Sequence, residues 1–197
     1  LYIDKTKNIH DLIQSGKTIF LSRPRRFGKS LLISTLHEIF SGNKELFKGL
    51  WIYESDYKWE KFPVIRIDFS MQKAETKEQL VSYINTQLDY IANAHGISLP
   101  QADYFQRLGK LIFEMSQVGR VVILIDEYDK PLIDQIINIP VAIEMREILK
   151  GFYSVIKGMD QYLKFVFLTG VSKFSKAGVF SGLNQLNDIT MNQAFSS

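Results

Sequence analysis

No cysteine occurs in the 197 residues, which excludes disulfides, thiolate zinc sites and thiol nucleophiles together. The absence fits a reducing cytoplasm. Histidine is scarce as well: His10, His37 and His95 stand far apart and share no metal-ligand spacing. No context points to a serine–histidine–acid arrangement. Net charge is only +3, so an electrostatic footprint for nucleic acid would need a local basic patch. No apolar run approaches the roughly 18 residues of a membrane helix. The start lacks the charged-then-apolar pattern of a secretory signal. Repeats and low-complexity stretches are absent too. Leu1 is not methionine, and Ala194-Phe195-Ser196-Ser197 shows no obvious stop to a fold. The expectation is one domain over 1–197, cut from a longer protein.

What is present is a core-forming composition, 46% hydrophobic and 13% aromatic, with 23% charged residues for the surface. Apolar residues recur at helical spacing over 8–14, 29–40, 77–94, 104–117 and 141–157. Short apolar or alternating runs predict strands at 18–22, 64–69, 121–125 and 165–169. Residues 51–62 are aromatic and charged without a clean period, and read as a loop with short elements. Strands separated by helices predict an α/β sandwich with three layers and a central, mainly parallel sheet. Ligands then bind at the carboxyl ends of the strands. Three of those ends carry polar groups: Ser22 with the loop beyond it, Asp126-Glu127, and Thr169.

The first of these has the order of a phosphate-binding loop: strand 18–22, loop 23–28, helix 29–40. Such a loop curls backbone N–H groups around an anion, sends a lysine to the outer phosphates and offers a hydroxyl to Mg²⁺. The helix N-terminus adds partial positive charge. Lys29 is the candidate phosphate lysine, Ser30 the Mg²⁺ ligand and Gly28 the close-approach glycine. Arg23, Pro24, Arg25, Arg26, Phe27 and Leu31 complete the nucleotide-binding candidates. Arg23 stands where the usual Walker A pattern has its first glycine, so the full pattern is not met. Arg25 and Arg26 are candidates for phosphate or a neighbouring subunit, and equally for solvated loop charges.

In P-loop ATPases a second strand, expected beside the first, ends in the Walker B acid that orients a Mg²⁺-bound water. Asp126 suits that task, and Glu127 is the candidate for polarising the attacking water. Asp129 and Pro131 also carry helix-capping chemistry, which keeps open the plainer reading of a strand ending in a turn. Thr169 and Ser172 are candidates for sensing the γ-phosphate or the attacking water, with Lys173 nearby.

Three segments carry a family resemblance: Tyr2-Ile3-Asp4-Lys5-Thr6, the loop Leu21-Ser22-Arg23-Pro24-Arg25-Arg26-Phe27-Gly28-Lys29-Ser30-Leu31-Leu32, and Ile125-Asp126-Glu127-Tyr128-Asp129-Lys130-Pro131. Leu168-Thr169-Gly170-Val171-Ser172-Lys173-Phe174-Ser175, Phe180-Ser181-Gly182-Leu183-Asn184 and Asn187-Asp188-Ile189-Thr190 extend it over nearly the whole chain. The sequence resembles the bacterial AAA-ATPase-like family of P-loop NTPases. In that family Arg23 in place of the glycine is the usual pattern. The resemblance implies ATP and Mg²⁺ as cofactors. Relatives usually continue into a helical region and a domain similar to PD-(D/E)XK nucleases, which these residues do not contain. The wider group often has a Gly-Arg pair after the sensor strand, and here Gly182-Leu183-Asn184 has no arginine. Charge neutralisation would then fall to Arg25, Arg26 or another subunit. By analogy Tyr2, Ile3 and Asp4 lie near the adenine.

Two functions stay open on this reading. One is an ATPase driving conformational change in attached domains. The other is a nucleotide-binding switch or interaction module with little or no hydrolysis. A P-loop kinase predicts an acceptor pocket and lid arginines that the sequence does not reveal. Nucleic-acid binding would draw on Arg23, Arg25 and Arg26 with base stacking by Trp51, Tyr53, Tyr57, Trp59 and Phe62. The alternative for those rings is a packed hydrophobic edge rimmed by lysines. A homo-oligomer or a partner domain is the expected partner, and no membrane.

Overall fold

A computed structural model describes residues 4–24, 26–171 and 187–188. Five strands form one parallel sheet in the order β2-β3-β4-β1-β5. They are β1 (Thr18–Ser22), β2 (Val64–Asp68), β3 (Val121–Asp126), β4 (Leu163–Gly170) and β5 (Asn187–Asp188). Strand β3 is buried at every position, as expected of Val121-Val122-Ile123-Leu124-Ile125 in the middle of a sheet covered on both sides.

Alternation along the strands divides the core in two. Ile19, Leu21, Val122, Leu124, Phe165 and Phe167 face one layer of helices: α1 (Thr6–Ser15), α2 (Lys29–Phe40) and the short α3 (Trp51–Glu54), with a 3-10 turn at Lys44–Phe47. Phe20, Ile65, Ile67, Ile123, Ile125, Val166 and Leu168 face the other layer: α4 (Lys77–Ala94), α5 (Tyr104–Met115) and α7 (Ile139–Gly158). A five-residue helix, α6 (Lys130–Asp134), follows β3 with Pro131 in its first turn, where the missing N–H costs nothing.

The path of the chain explains the layering. From β1 it runs through α2 and α3 to the far edge at β2, then returns through β3 to β4. Crossovers of one hand that run in opposite directions must cover opposite faces of the sheet. The carboxyl end of β1 therefore lies where the connections change face, the position at which open α/β sheets bind ligands.

Most predicted elements appear with ends shifted by at most three residues, and β1, α2 and α4 have the predicted bounds. One expectation is corrected: β3 is not beside β1, because β4 hydrogen-bonds to both and separates them. Neither α6 nor β5 was predicted, since five residues and two residues carry no readable period. The aromatic segment forms a packed edge. Trp59 sits against Phe47 and Tyr57, Trp51 against His10, and Phe62 against Phe40. Lys44 and Lys164 lie over Tyr53 and Phe62 at its rim. Among the described residues no helix is long and apolar enough to cross a membrane.

Candidate functional site

The loop after β1 stays tied to the sheet, because Arg23 N donates to Gly170 O at 3.0 Å and so extends the β1–β4 ladder by one bond. Beyond it the backbone turns left-handed at Arg26 (φ 69°) and Gly28 (φ 72°). That sign of φ is the reason for glycine at 28. A Cβ there would meet nothing within 4 Å, so the loop is open above this position. Arg26, Phe27, Ser30 and Leu31 are exposed, and Arg25 lies outside the described residues.

Helix α2 begins at Lys29 with no side-chain cap and no acid in its first turn. Its first N–H groups are therefore left for a ligand or water. By contrast, α4 is capped by Thr76, whose hydroxyl accepts from Gln79 N. A bare, partially positive helix start facing an open loop is of the kind that favours an anion. Lys29 is only 5% exposed, and its Nζ donates to the carbonyls of Arg23 (2.8 Å) and Pro24 (3.1 Å). Its charge is thus held inside the curl of the loop.

The ends of β3 and β4 are stitched together. Thr169 Oγ1 donates to Asp126 Oδ1 at 2.5 Å and accepts from Glu127 N at 3.0 Å. Tyr128 N donates to Thr169 O, and Val171 N donates to both oxygens of Asp129, at 3.1 and 2.9 Å. Parity places Asp126 with Val122 and Leu124, and Thr169 with Phe165 and Phe167, on the face covered by α2. So Thr169, not the loop itself, is the immediate neighbour of Asp126. Asp126 is 1% exposed, and its Oδ2 is buried with no hydrogen-bond partner among the described residues. Glu127 is held left-handed at φ 48°, an uncommon state for a side chain of this kind, and its carboxylate makes no hydrogen bond or ion pair among the described residues. Strained backbone of this sort gathers at functional sites.

Ser172, Lys173 and Gly182-Leu183-Asn184 lie outside the described residues, as do Tyr2 and Ile3. Asp4 is engaged elsewhere: its carboxylate accepts from Thr6 N, Thr6 Oγ1 and Trp51 N. Burial alone would raise its pKa, but those three hydrogen bonds together hold it below the usual value. The family motif at 2–6 thus contains a latch between α1 and α3. A shallow hollow of about 350 Å³ beside α3, lined by Gly49, Leu50, Trp51, Glu54 and Ser55, contains none of the loop residues.

The sequence reading missed three residues at the site. Asp129 carries only capping chemistry in the sequence reading, and Gly170 stands in a family motif with no role of its own. Asp68, at the end of β2, is the register partner of Asp126. Its position two residues beyond Arg66 in an alternating strand was a usable signal, but it needed the knowledge that β2 pairs with β3.

A parallel sheet covered on both faces, with a strand–loop–helix turn at the point where its connections change face, is the architecture of a P-loop NTPase. Family comparison agrees. Residues 1–180 match the AAA-ATPase-like family, described as "Predicted AAA-ATPase", and the chain belongs to that family. It is also 43% identical over 199 aligned residues to an uncharacterized protein in the vnfD 5′ region of Azotobacter chroococcum mcd 1. All of the chain is covered by that match but only 38% of the relative, so the chain spans well under half of that protein's length.

Proposed function

We propose that the chain is one nucleotide-binding domain that takes up ATP with Mg²⁺ and hydrolyses it, coupling nucleotide state to further domains or to a second copy. The observation that carries this reading is the uncapped start of α2 with Lys29 folded into the loop beside the Asp126–Thr169 pair. The N–H groups of the loop and of the first turn of α2 take the phosphates, flanked by Arg23, Pro24, Arg25, Arg26 and Phe27. Lys29 leaves its two carbonyl partners to meet the outer phosphates. The apolar, exposed Phe27 and Leu31 border the nucleotide at the mouth of the loop.

The donor set suits a hard divalent cation, which takes oxygen ligands. Asp126 keeps one buried carboxylate oxygen unspent, and the Ser30 hydroxyl is exposed on the first turn of α2. Those two groups would hold Mg²⁺, whose chemistry is to neutralise charge on the phosphates. Glu127 accepts a proton from, or orients, the attacking water. Thr169 fixes both acids, through its bonds to the Asp126 carboxylate and to Glu127 N.

A second reading, a switch with little turnover, is favoured by one specific feature. The Lys29 ammonium already has two backbone acceptors, so binding must exchange good hydrogen bonds for new ones. Calorimetric titration with Mg²⁺ and ATP should give binding that Lys29→Ala weakens by roughly 10- to 100-fold, the worth of a hydrogen bond to a charged group. Phosphate release should fall by about 100-fold or more in Glu127→Gln, the usual contribution of a positioned base. Equal rates for the two proteins would leave the switch as the function. No Lys29-dependent binding would sink both readings.

A further inference from the structure

Asp68 and Asp126 end neighbouring strands and are paired in register, Asp68 on β2 with Asp126 on β3. Registered partners in a parallel sheet put their side chains on the same face. The face is the one covered by α2, since Val64 packs in the cluster with Val122 and Leu124, while Ile65 and Ile67 pack opposite with Ile123 and Ile125. Two carboxylates therefore stand side by side. Neither makes an ion pair among the described residues, and like charges placed opposite each other destabilise a sheet. Lys29 is committed to the loop carbonyls and Lys130 to Asp134 and Gln72 O.

Each carboxylate keeps one oxygen unspent among the described residues. Asp126 Oδ1 is spent on Thr169 of β4, while its buried Oδ2 has no hydrogen-bond partner among the described residues. Asp68 Oδ1 accepts from Ser70 N at 2.7 Å, and its other oxygen makes no hydrogen bond among the described residues. The strand ends that carry them are pinned, as Phe69 N donates to Asp126 O at 3.0 Å and the Tyr83 hydroxyl to Asp68 O. A fixed pair of anions with one oxygen each to spare is a site for a hard cation.

We propose that Asp68 is a second carboxylate of the divalent-cation site, acting with Asp126 on the metal that accompanies the nucleotide. The proposal rests on the ATP-binding reading above. Turning the pair into a useful site needs only the charge of Asp68. Its bond to Ser70 needs only an acceptor, so Asp68→Asn removes the first and keeps the second.

The test uses Mn²⁺ as a paramagnetic probe, titrated into the full chain with a non-hydrolysable ATP analogue and followed by electron paramagnetic resonance. Asp68→Asn should weaken Mn²⁺ binding by roughly tenfold or more, since even groups beyond the direct ligands contribute that much. Affinity for the metal-free analogue should stay the same or rise slightly, because a repelling charge has gone. Asp68→Ser, also uncharged and able to accept from Ser70 N, should behave alike and stands in should the asparagine variant fail to fold. Wild-type Mn²⁺ affinity in both variants, alongside loss in Asp126→Asn, overturns the proposal while leaving ATP binding intact. Should the wild-type chain bind no analogue, the nucleotide reading fails instead. The arm with Mn²⁺ alone then decides, since Asp68-dependent binding supports the pair and none overturns it.

Discussion

Gly170 is crowded although its φ is ordinary. A Cβ built on it would lie 2.9 Å from Asp129 Oδ2, 3.0 Å from Cγ and 3.1 Å from Oδ1. The glycine is there to let the carboxylate close on Val171 N with both oxygens. Gly170→Ala must push that carboxylate away or shift the end of β4, at a cost of about 1–3 kcal/mol for overpacking a tight site. Chemical denaturation of a double-mutant cycle checks the cause. In an Asp129→Ala background the same glycine substitution should cost much less, because the group it strikes is gone. Additive costs would show that the strain lies elsewhere. At this scale the sequence was readable where chemistry is local: Lys29 and Gly28 follow from the loop pattern. Gly170 was not, since its reason for being glycine is a side chain 41 positions away in the sequence.

Helices α1 and α3 are short, and α3 has a single turn, so neither holds its place by its own hydrogen bonds. The latch at Asp4 supplies what they lack, together with Thr6, whose hydroxyl accepts from Ile52 N at 3.1 Å. Asp4→Ala should cost about 1 kcal/mol, the usual worth of a carboxylate at a helix end. The pH dependence follows from the direction of the shift. The folded carboxyl titrates below its ordinary 3.8, so its contribution is present above that value and is lost as pH falls through the lower, folded pKa. Melting temperatures of wild type and Asp4→Ala should differ at pH 7 and converge as pH falls below the lowered, folded pKa. A difference that persists in acid would mean that Asp4 acts without its charge. Elements with strong periods, such as α4 and β3, were legible because burial of one face or both writes itself into the residue pattern. The one-turn α3, α6 and the two-residue β5 are too short to leave a pattern.

For the molecule as a whole, a ligand that binds only the folded state must raise its stability. At a concentration 100 times its Kd, Mg²⁺ with ATP should add about 2.7 kcal/mol. For a chain of this size that corresponds to a rise in Tm of roughly 5–10 °C. At the same concentration the roughly 10- to 100-fold weaker binding of Lys29→Ala should leave only about 0.4–1.4 kcal/mol of that gain, and EDTA should shrink it in wild type. A thermal scan with no shift in wild type would count against nucleotide binding by this chain.

By itself the sequence determined the α/β class, the alternation of helices with strands, and the loop at 23–30. These depend on periodicity, turn chemistry and residue type within short stretches of chain. Tertiary structure alone decided the strand order, and with it the neighbours of Asp126. Insertion of β4 between β1 and β3 put Thr169 on one side of that acid, and the pairing of β2 with β3 put Asp68 on the other. Four buried strands of similar apolar character can be ordered in many ways without changing their local patterns. The choice rests on crossover handedness and on which helices must cover which face, and those are properties of the assembled chain.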